Sequence, residues 1–537
     1  MSLFLVLILF LLPAVNPESA AFFPENSTGL NFVFVFPENI VYYYSAQSLN
    51  QFQVTAFFND TQISVFSSTV SSKTLNAGQT EVFLIDPLMA LKKEHVSNKT
   101  VQIKSSKHVV VHVIIHRNNS VQTAVVMPTD KLSTDYIIPQ VPTIRGTTAP
   151  WDSGVNNATE KGPFRVIVIN TDKQNSVTLE SKVDKPGSNF ELQPYQSKQF
   201  WVTEQGQEQT LTATEPVAVY FGHPCAIRYN CTCGLLYTVL TPAEDNTLKF
   251  FIAQDLVEDA GKETSVLVSG KESTTIQTFD QKSPLVEVSG SAILYRPGLL
   301  LNLISENDFA SCFTISGIKD MENFAVIVVH KDYKNGICLG NEPLQDPNWQ
   351  ELMGTEYTST KVKLQLGTNV IWHKSFKVAV YFLGQKGNTV FGNSAALVSK
   401  NPDFRGCSLS PEILDIGNEA GGWRESLKYC KDKNLDLISL PTPALQNHIM
   451  RKLNQTKIGN KQVWIGFRMS SLNGEWYWMN SEAVSYTNWE EGKPSGADSR
   501  LCAMMSLETG KNFSWHNEDC CTHAHPLCYK APMFLPL

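Results

Sequence analysis

Short runs of β-branched and aromatic residues, separated by polar turns, fill the long front part of the chain. Between residues 32 and 381 almost no stretch keeps the hydrophobic spacing of a helix. Several runs end in residue pairs typical of tight turns, such as Asn59-Asp60 and Asp172-Lys173. Many short strands with regularly spaced turns are typical of β-sandwiches, so this region is predicted to be all-β.

One block recurs in this region and predicts an internal repeat. Residues 107–112 (Lys-His-Val-Val-Val-His) align with 215–220 (Glu-Pro-Val-Ala-Val-Tyr), and 377–381 (Lys-Val-Ala-Val-Tyr) repeat the pattern. After the first two copies, Pro128 and Pro242 precede a further strand by the same spacing. The period is domain-sized, roughly 100 to 120 residues. It predicts two or three sandwich units, which we place at 22–155, 156–262 and 263–398.

A helical pattern begins only after this region. Trp423 and Leu427 lie four residues apart and Cys430 three further on, which is the spacing of one helical face. Thr442 before Pro443 is typical of a helix start, and leucine or isoleucine then recurs every four residues. Residues 435–440 alternate like a strand, so the order helix, strand, helix is predicted.

Tryptophans, a glycine and cysteines follow these helices in a characteristic order. They are Trp464, Gly466, Trp476, Trp478, Trp489, Cys502, Trp515, Cys520 and Cys528. Together with the two helices, this order resembles the C-type lectin-like domain over residues 407–530. The resemblance implies an α+β fold with bridges Cys430–Cys528 and Cys502–Cys520.

The predicted fold class is therefore multidomain, with all-β sandwich-like repeats followed by an α+β C-type lectin-like domain at residues 404–531. The residues Asn-Pro-Asp at 401–403 mark a short linker. Cys407 and Cys521 are left over in the last segment, and we pair them by elimination. Six cysteines allow 15 pairings, so spacing alone cannot prove this pair.

Sugar-binding members of the resembled family hold calcium with carboxylates and amides in a long loop. The matching positions here are Lys493, Pro494, Ser495, Arg500, His516 and Asn517. None of them carries a carboxylate, and calcium affinity follows the number of charged oxygen ligands. The sequence predicts no calcium, no other metal and no cofactor at this loop.

Two interpretations of the cationic loop stay open. Lys493, Arg500 and His516 could form a rim for an anionic partner, such as a sulfated or sialylated glycan or an acidic protein surface. Alternatively, they are solvated charges on a domain kept for its fold. Acidic residues nearby in sequence would weaken a basic patch: Glu490, Glu491, Asp498, Glu518 and Asp519.

The front region resembles the amino-terminal domain of the IgG-Fc-binding protein family over about residues 30–390. The similarity lies in the block Val-Ala-Val-Tyr-Phe-Gly-His at 217–223, the cysteines that follow it, and the segment 324–357. Two of Cys225, Cys231 and Cys233 are expected to close a small loop, and Cys312 is expected to bridge to Cys338. Immunoglobulin binding does not follow from a resemblance in fold.

Several features predict a secreted glycoprotein. Residues 3–12 are an unbroken apolar run, too short to span a bilayer, and we expect a signal peptide at residues 1–21. The odd number of cysteines, 11, fits an oxidising compartment with one thiol left over. No later stretch is long and apolar enough for a membrane span. The asparagines of eight glycosylation sequons are Asn26, Asn59, Asn98, Asn118, Asn157, Asn230, Asn454 and Asn512.

Enzymatic function is not indicated. The sequence lacks a nucleophile elbow, a zinc-protease helix and nucleotide-binding glycine loops. His108, His112 and His116 alternate along one strand, but the outer two lie roughly 26 Å apart at about 3.3 Å per residue, too far for one metal ion. We interpret them as a surface strand face. A net charge of −7 argues against nucleic-acid binding.

The leading hypothesis is a secreted, non-catalytic recognition protein that binds a glycan or protein ligand without calcium, in innate host defence. The alternative is a structural matrix or mucus component whose lectin-like domain makes protein contacts. Both hypotheses place the protein outside the cell.

Overall fold

The structure, a computed structural model, describes residues 27–40, 48–92, 96–118, 120–145, 159–160, 164–181, 188–202, 209–227, 233–242, 246–257, 264–270, 274–280, 282–387, 389–455, 461–496, 499–508 and 512–536. These residues divide into two compact units. The carboxyl unit is Ser410–Met533, and the front unit comprises the rest of the described chain up to Leu409 together with 534–536. The predicted signal peptide, 1–21, lies outside the described residues.

Strands build the front unit, as the alternating pattern predicts. Its first large sheet contains Gly29–Phe34, Leu49–Ala56, Thr61–Phe66, Val70–Leu75, Thr80–Ile85, Val101–Arg117 and Ser120–Val126. Its second contains Val96–Ser97, Ser133–Ile138, Phe164–Asn170, Asn175–Ser181, Ser188–Leu192, Ser197–Val202, Gln209–Ile227 and Cys233–Val239. Three two-stranded pairs are Phe36–Pro37 with Ala90–Leu91, Ile144–Arg145 with Thr159–Glu160, and Thr247–Phe251 with Leu285–Ser289.

Smaller sheets follow along the chain. One contains Ser265–Ser269, Thr274–Thr278, Ser291–Arg296 and Leu299–Asn302. Another contains Cys312–Gly317, Ile337–Leu339, Glu342–Pro343, Gly367–His373 and Ala396–Ser399. A further one contains Glu322–His330, Gln350–Glu351, Tyr357–Lys363, Ala379–Lys386 and Thr389–Ser394. Single 3-10 turns occur at Pro87–Met89, Thr129–Lys131, Gln254–Leu256, Glu306–Asp308 and Lys331–Gly336.

A long central strand organises the first large sheet. The first half of Val101–Arg117 pairs with Gly29–Phe34 and Thr61–Phe66. Its second half pairs with Leu49–Ala56 and Ser120–Val126. One strand therefore serves two sets of neighbours in succession.

The second large sheet repeats this plan. The first half of Gln209–Ile227 pairs with Ser133–Ile138 and Asn175–Ser181. Its second half pairs with Phe164–Asn170 and Cys233–Val239. The two sheets thus share one strand order around their long strands.

The recurring sequence block lies at the same place in both long strands. Val109 pairs with Gly29, and Val217 pairs with Ser133, the first residue of the equivalent strand. An irregularity in register follows at both points. However, Ser133–Ile138 belongs by sequence to the first predicted unit but pairs within the second sheet. The boundaries at 155 and 262 stay predictions.

Cys312 bonds to Cys407, so the predicted Cys312–Cys338 bridge is wrong. Cys312 and Cys338 both pair with Trp372, from opposite sides of the strand Gly367–His373. The two outer neighbours of one strand lie roughly 10 Å apart. A disulfide needs Cα atoms within about 7 Å, and the buried thiol of Cys338 is free.

The predicted Cys407–Cys521 bridge is also wrong, because Cys407 is already bonded within the front unit. Cys521 is exposed, with a free thiol. Cys225 bonds to Cys233, which closes a small loop as expected. Cys231 lies outside the described residues.

His112 is buried, so the predicted surface strand face is wrong at this position. The second half of its strand is covered on both faces, and His112 borders a small cavity with Gln53, Ser316 and Phe382. Burial lowers the pKa of His112 to about 4.

The carboxyl unit combines two helices with one sheet. Helix α1 is Trp423–Asp432 and helix α2 is Pro443–Gln455, which starts at the predicted proline. The sheet contains Ile413–Ile416, Asp436–Leu437, Gln462–Met469, Trp476–Trp478, Cys502–Ser506, Trp515–Glu518 and His525–Lys530. The all-β front and the α+β carboxyl unit confirm the predicted fold class. No helix among the described residues combines the length and apolar character needed to cross a membrane.

Candidate functional site

The strand Gln462–Met469 anchors the carboxyl unit because both of its faces are buried. Successive side chains of a strand point to opposite faces. Ile465 and Phe467 therefore enter one core cluster, and Trp464 enters another with Trp423 of α1. The indole nitrogen of Trp423 donates to the carbonyl of Ile465 at 3.0 Å. Burying a large aromatic ring and satisfying its N–H fixes the helix against the sheet.

Gly466 lies where the backbone of a neighbouring segment comes close. A Cβ atom at this position would lie 2.7 Å from the carbonyl oxygen of Leu437. The amide of Gly466 instead donates to the carbonyl of Ile438 at 2.7 Å. The glycine of the tryptophan-rich motif is therefore needed for close approach.

Two disulfides stabilise the elements around the loop that contains Lys493, Ser495 and Arg500. Cys430 of α1 bonds to Cys528, and Cys502 bonds to Cys520. These are the pairs that the resemblance implied. The second bridge ties the strand Cys502–Ser506 to the segment just after Trp515–Glu518, so the chain that follows Arg500 is joined to the chain that follows Asn517.

Four tryptophan rings pack against one another next to the loop. Trp478 and Trp515 are fully buried and meet edge to face with ring centroids 5.4 Å apart. Trp489 is half-buried and contacts Trp476 at 4.8 Å and Trp515 at 6.0 Å. These contacts favour packing as the main role of the tryptophans, with part of Trp489 open to solvent.

Asn517 closes the loop with its whole side-chain amide. Its Oδ1 accepts from the amide of Ser495 at 2.8 Å and from the hydroxyl of Ser495 at 3.3 Å. Its Nδ2 donates to the carbonyls of Ser495 at 2.8 Å and Arg500 at 3.1 Å. Because backbone donors and acceptors face opposite ends of the amide, they fix its orientation. The buried amide therefore acts as a clamp across the loop.

Two cationic side chains converge beside this clamp. Lys493 Nζ and Arg500 Nη1 each lie 3.4 Å from the hydroxyl oxygen of Ser495. One carboxylate lies close to Arg500: Glu518 Oε1 is 3.7 Å from Arg500 Nε. In the part of the chain that the structure describes, Lys493 has no ion-pair partner. The loop therefore concentrates positive charge at one point.

The residues present do not fit a calcium ion. Calcium takes six to eight oxygen ligands and depends on carboxylates for affinity. The amide oxygen of Asn517 is already used by Ser495, and Lys493 and Arg500 place cationic nitrogens beside it. Within the described ranges, no group of three or more acidic, histidine or cysteine side chains could hold a metal ion.

The remaining predicted loop residues are brought together only in part. Pro494 is exposed and follows a cis peptide bond from Lys493. His516 is half-buried on the strand Trp515–Glu518, where it pairs with Met504. Asp498 lies outside the described residues. The sequence indicated the amide and the two cations but not the clamp, because nothing in spacing shows which backbone atoms Asn517 will reach.

Most described sequons present an exposed asparagine. Asn26, Asn157 and Asn230 lie outside the described residues. The exposed asparagines are Asn59, Asn98, Asn454 and Asn512, and Asn118 is half-buried.

Sequence reasoning missed a buried carboxylate in this unit. The side chain of Glu412 is 3% exposed and accepts from His448 Nε2 at 2.8 Å, from Tyr529 Oη at 2.7 Å and from Lys452. Burial raises the pKa of Glu412, but these three hydrogen bonds outweigh it and hold the pKa well below the ordinary glutamate range. Its partners are too distant in sequence for any periodic pattern to show them.

Two family models match the chain. A lectin C-type domain matches residues 419–530, and an IgGFc binding protein domain matches residues 122–293. The first match covers most of the carboxyl unit. The second lies within the front unit and includes the long strand Gln209–Ile227.

Known proteins are similar to the carboxyl unit. Human (Homo sapiens) lithostathine-1-beta is 29% identical over 99 residues, which are 18% of this chain and 59% of that protein. C-type lectin 1 of Hydrophis hardwickii is 31% identical over 118 residues, 20% of this chain and 68% of that protein. A solved structure of human lithostathine is 21% identical and covers 22% of this chain and 90% of that chain, with a TM-score of 0.21. The chain thus spans less than two thirds of the length of lithostathine-1-beta.

Proposed function

This chain belongs to the C-type lectin family and has a lectin-like recognition role, and from that premise we propose that it recognises its ligand without calcium. It acts as a secreted, non-catalytic protein at the extracellular or mucosal surface, in host defence. The ligand is a glycan or a protein surface. The front unit serves as a spacer or as a second binding surface.

One observation carries this proposal: the Asn517 clamp with its two adjacent cations. An amide that already makes four hydrogen bonds has no free oxygen for a metal. Two cations beside it would repel a divalent ion. Recognition at this loop then depends on the protein's own donors.

Other features support the extracellular setting. Four disulfides join described residues, and structural disulfides persist in oxidising compartments. Four sequon asparagines are exposed and accessible to a glycosylating enzyme. The IgGFc-binding match is consistent with a binding rather than a catalytic front unit.

A glycan array tests the proposal. The full chain is applied to neutral, sialylated and sulfated glycans, once with calcium and once with chelator. The expected result is the same set of bound glycans in both conditions. Binding that disappears in chelator would refute calcium independence. Silence on the whole array together with self-association on a sizing column would favour the structural alternative.

A further inference from the structure

We infer that Lys493, Ser495 and Arg500 form a subsite for a sulfate ester, so that the preferred ligand is a sulfated glycan. This inference rests on the proposed function and assigns a ligand chemistry to the same loop.

The two cationic donors are held close together by geometry. Both Lys493 Nζ and Arg500 Nη1 lie 3.4 Å from one hydroxyl oxygen. They are therefore within about 7 Å of each other, a distance at which like charges repel even when partly solvated. An anion between them would turn this repulsion into two attractions.

Their present acceptor is weak. The Ser495 hydroxyl is neutral, and 3.4 Å is long for a hydrogen bond from a charged donor, which is usually about 2.7 to 2.9 Å with an anionic acceptor. Charge-assisted hydrogen bonds are roughly twice as strong as neutral ones. An oxyanion would thus be a better acceptor for both cations than the hydroxyl that they share.

The loop is prepared for this ligand before it binds. The Asn517 clamp fixes the backbone of Ser495 on both its amide and its carbonyl. It also holds the carbonyl of Arg500. Fixing the two residues reduces the ordering cost of binding.

A sulfate ester matches the donors better than a carboxylate does. Two cationic groups converge on one hydroxyl oxygen: the ammonium of Lys493 and the guanidinium of Arg500. A sulfate ester presents three terminal oxygens, one for the ammonium and two for a bidentate guanidinium, whereas a carboxylate presents two. Glu518 already supplies a carboxylate at 3.7 Å to one edge of Arg500 and competes for it.

The test uses the full chain and three glycans: 6-sulfo-N-acetyllactosamine, its unsulfated form and its sialylated form. Affinity is measured in chelator at low and high salt. We expect the sulfated glycan to bind at least about tenfold more tightly than the other two, with affinity falling as salt rises.

Variants of the loop and a matched control sharpen the test. Lys493→Gln and Arg500→Gln are each expected to weaken sulfated-glycan binding about tenfold, because each removes one charge-assisted contact. Glu518→Gln is expected to tighten it by a few fold. Lys428→Gln removes the same charge from an exposed ion pair on α1 and is expected to change nothing. An unchanged melting temperature shows that each variant is folded.

The possible results separate this inference from the proposed function. Three results would each overturn the sulfate subsite. The unsulfated glycan binds as tightly as the sulfated one, the sialylated glycan does so, or neither loop variant changes sulfated-glycan binding. Chelator-resistant binding of a neutral glycan would then leave the proposed function standing. Binding that requires calcium would overturn both.

Discussion

The two units bury ionisable groups in opposite ways. In the front unit, His112 is buried and its Nδ1 lacks a hydrogen-bond partner among the described residues. In the carboxyl unit, Glu412 is buried with three donors around its carboxylate. Burial alone lowers the pKa of His112 to about 4. In contrast, hydrogen bonding holds the pKa of Glu412 far below its usual range, so Glu412 stays ionised in mild acid.

The stability of the two units should therefore respond differently to mild acid. His112 must stay neutral in the folded state, so protons favour the unfolded front unit. Glu412 stays charged in the folded state, so mild acid does not change its contribution to the stability of the carboxyl unit. At mildly acidic pH the front unit should therefore lose stability before the carboxyl unit does.

Removing a long-range disulfide from either unit should lower the free energy of unfolding the most. Cys312–Cys407 and Cys430–Cys528 enclose similar separations, 95 and 98 residues. In the chain-entropy model each contributes about 4 to 5 kcal/mol. Replacing either pair by alanine should lower the free energy of unfolding of its own unit by about this amount, as measured by chemical denaturation.

Hydrogen exchange locates the loss and provides the control. Each disulfide variant should lose amide protection in its own unit, with the other pair serving as the matched comparison. A loss of equal size in both units from a single variant would contradict independent stabilisation of the two units.

Acid should weaken the front unit through His112. The unfolded pKa is about 6.5 and the folded pKa about 4, so stability is complete above pH 6.5 and falls as pH decreases toward 4. The expected loss between pH 7 and pH 5 is about 2 kcal/mol. His112→Leu removes this titrating group and should reduce the pH dependence by about that amount, and the part that remains belongs to other buried histidines such as His223, whose pKa is also lowered to about 4.

Hydrogen exchange of the strand Val101–Arg117 at both pH values measures the effect. His523→Gln, a change at an exposed histidine of the carboxyl unit, is the control and should behave like the unaltered protein. If the unaltered strand loses no more protection on acidification than the His112→Leu strand does, His112 is not the cause of the acid response.

Glu412→Gln should produce a loss of similar size that does not depend on mild acid. It removes the charge that His448, Lys452 and Tyr529 share, at a cost of about 2 kcal/mol to the carboxyl unit. Because the pKa of Glu412 is held well below the ordinary range, its stabilisation is present above about pH 4 and is lost only at lower pH. Thermal unfolding at pH 7 and pH 5 should show the same deficit.

Asp415→Asn is the matched control for this carboxylate. Asp415 pairs with Lys433 in a more exposed position, with side chains 34% and 46% exposed. Such an exposed pair contributes little to stability, because solvent screens it. A deficit from Asp415→Asn as large as that from Glu412→Gln would remove the argument that buried hydrogen bonding sets the difference.

The sequence predicted the carboxyl unit more fully than the front unit. Trp423, Gly466 and Pro443 each have a local physical reason that spacing reveals, and the cysteine pairs of this unit followed from the resemblance. In contrast, Cys312 finds Cys407 through strand order, which no local pattern records. His112 was placed on a surface because alternation identifies two strand faces but not whether a second layer covers them.

The candidate loop was predictable in its residues but not in its contacts. The positive charge of Lys493 and Arg500 could be read directly. That both reach Ser495, while Asn517 holds that residue from the other side, depends on a fold that brings residues 22 positions apart into contact.

Calcium titration of the full chain measures whether the loop that contains Lys493, Ser495 and Arg500 binds the ion. Isothermal titration calorimetry is compared with a variant that restores the family's ligand pattern: Lys493→Glu, Ser495→Asn, Arg500→Glu, His516→Asn and Asn517→Asp. We expect no binding heat for the unaltered chain up to about 1 mM calcium and saturable binding for the restored variant. Saturable calcium binding by the unaltered chain that is lost on replacing Asn517 with alanine would contradict this expectation.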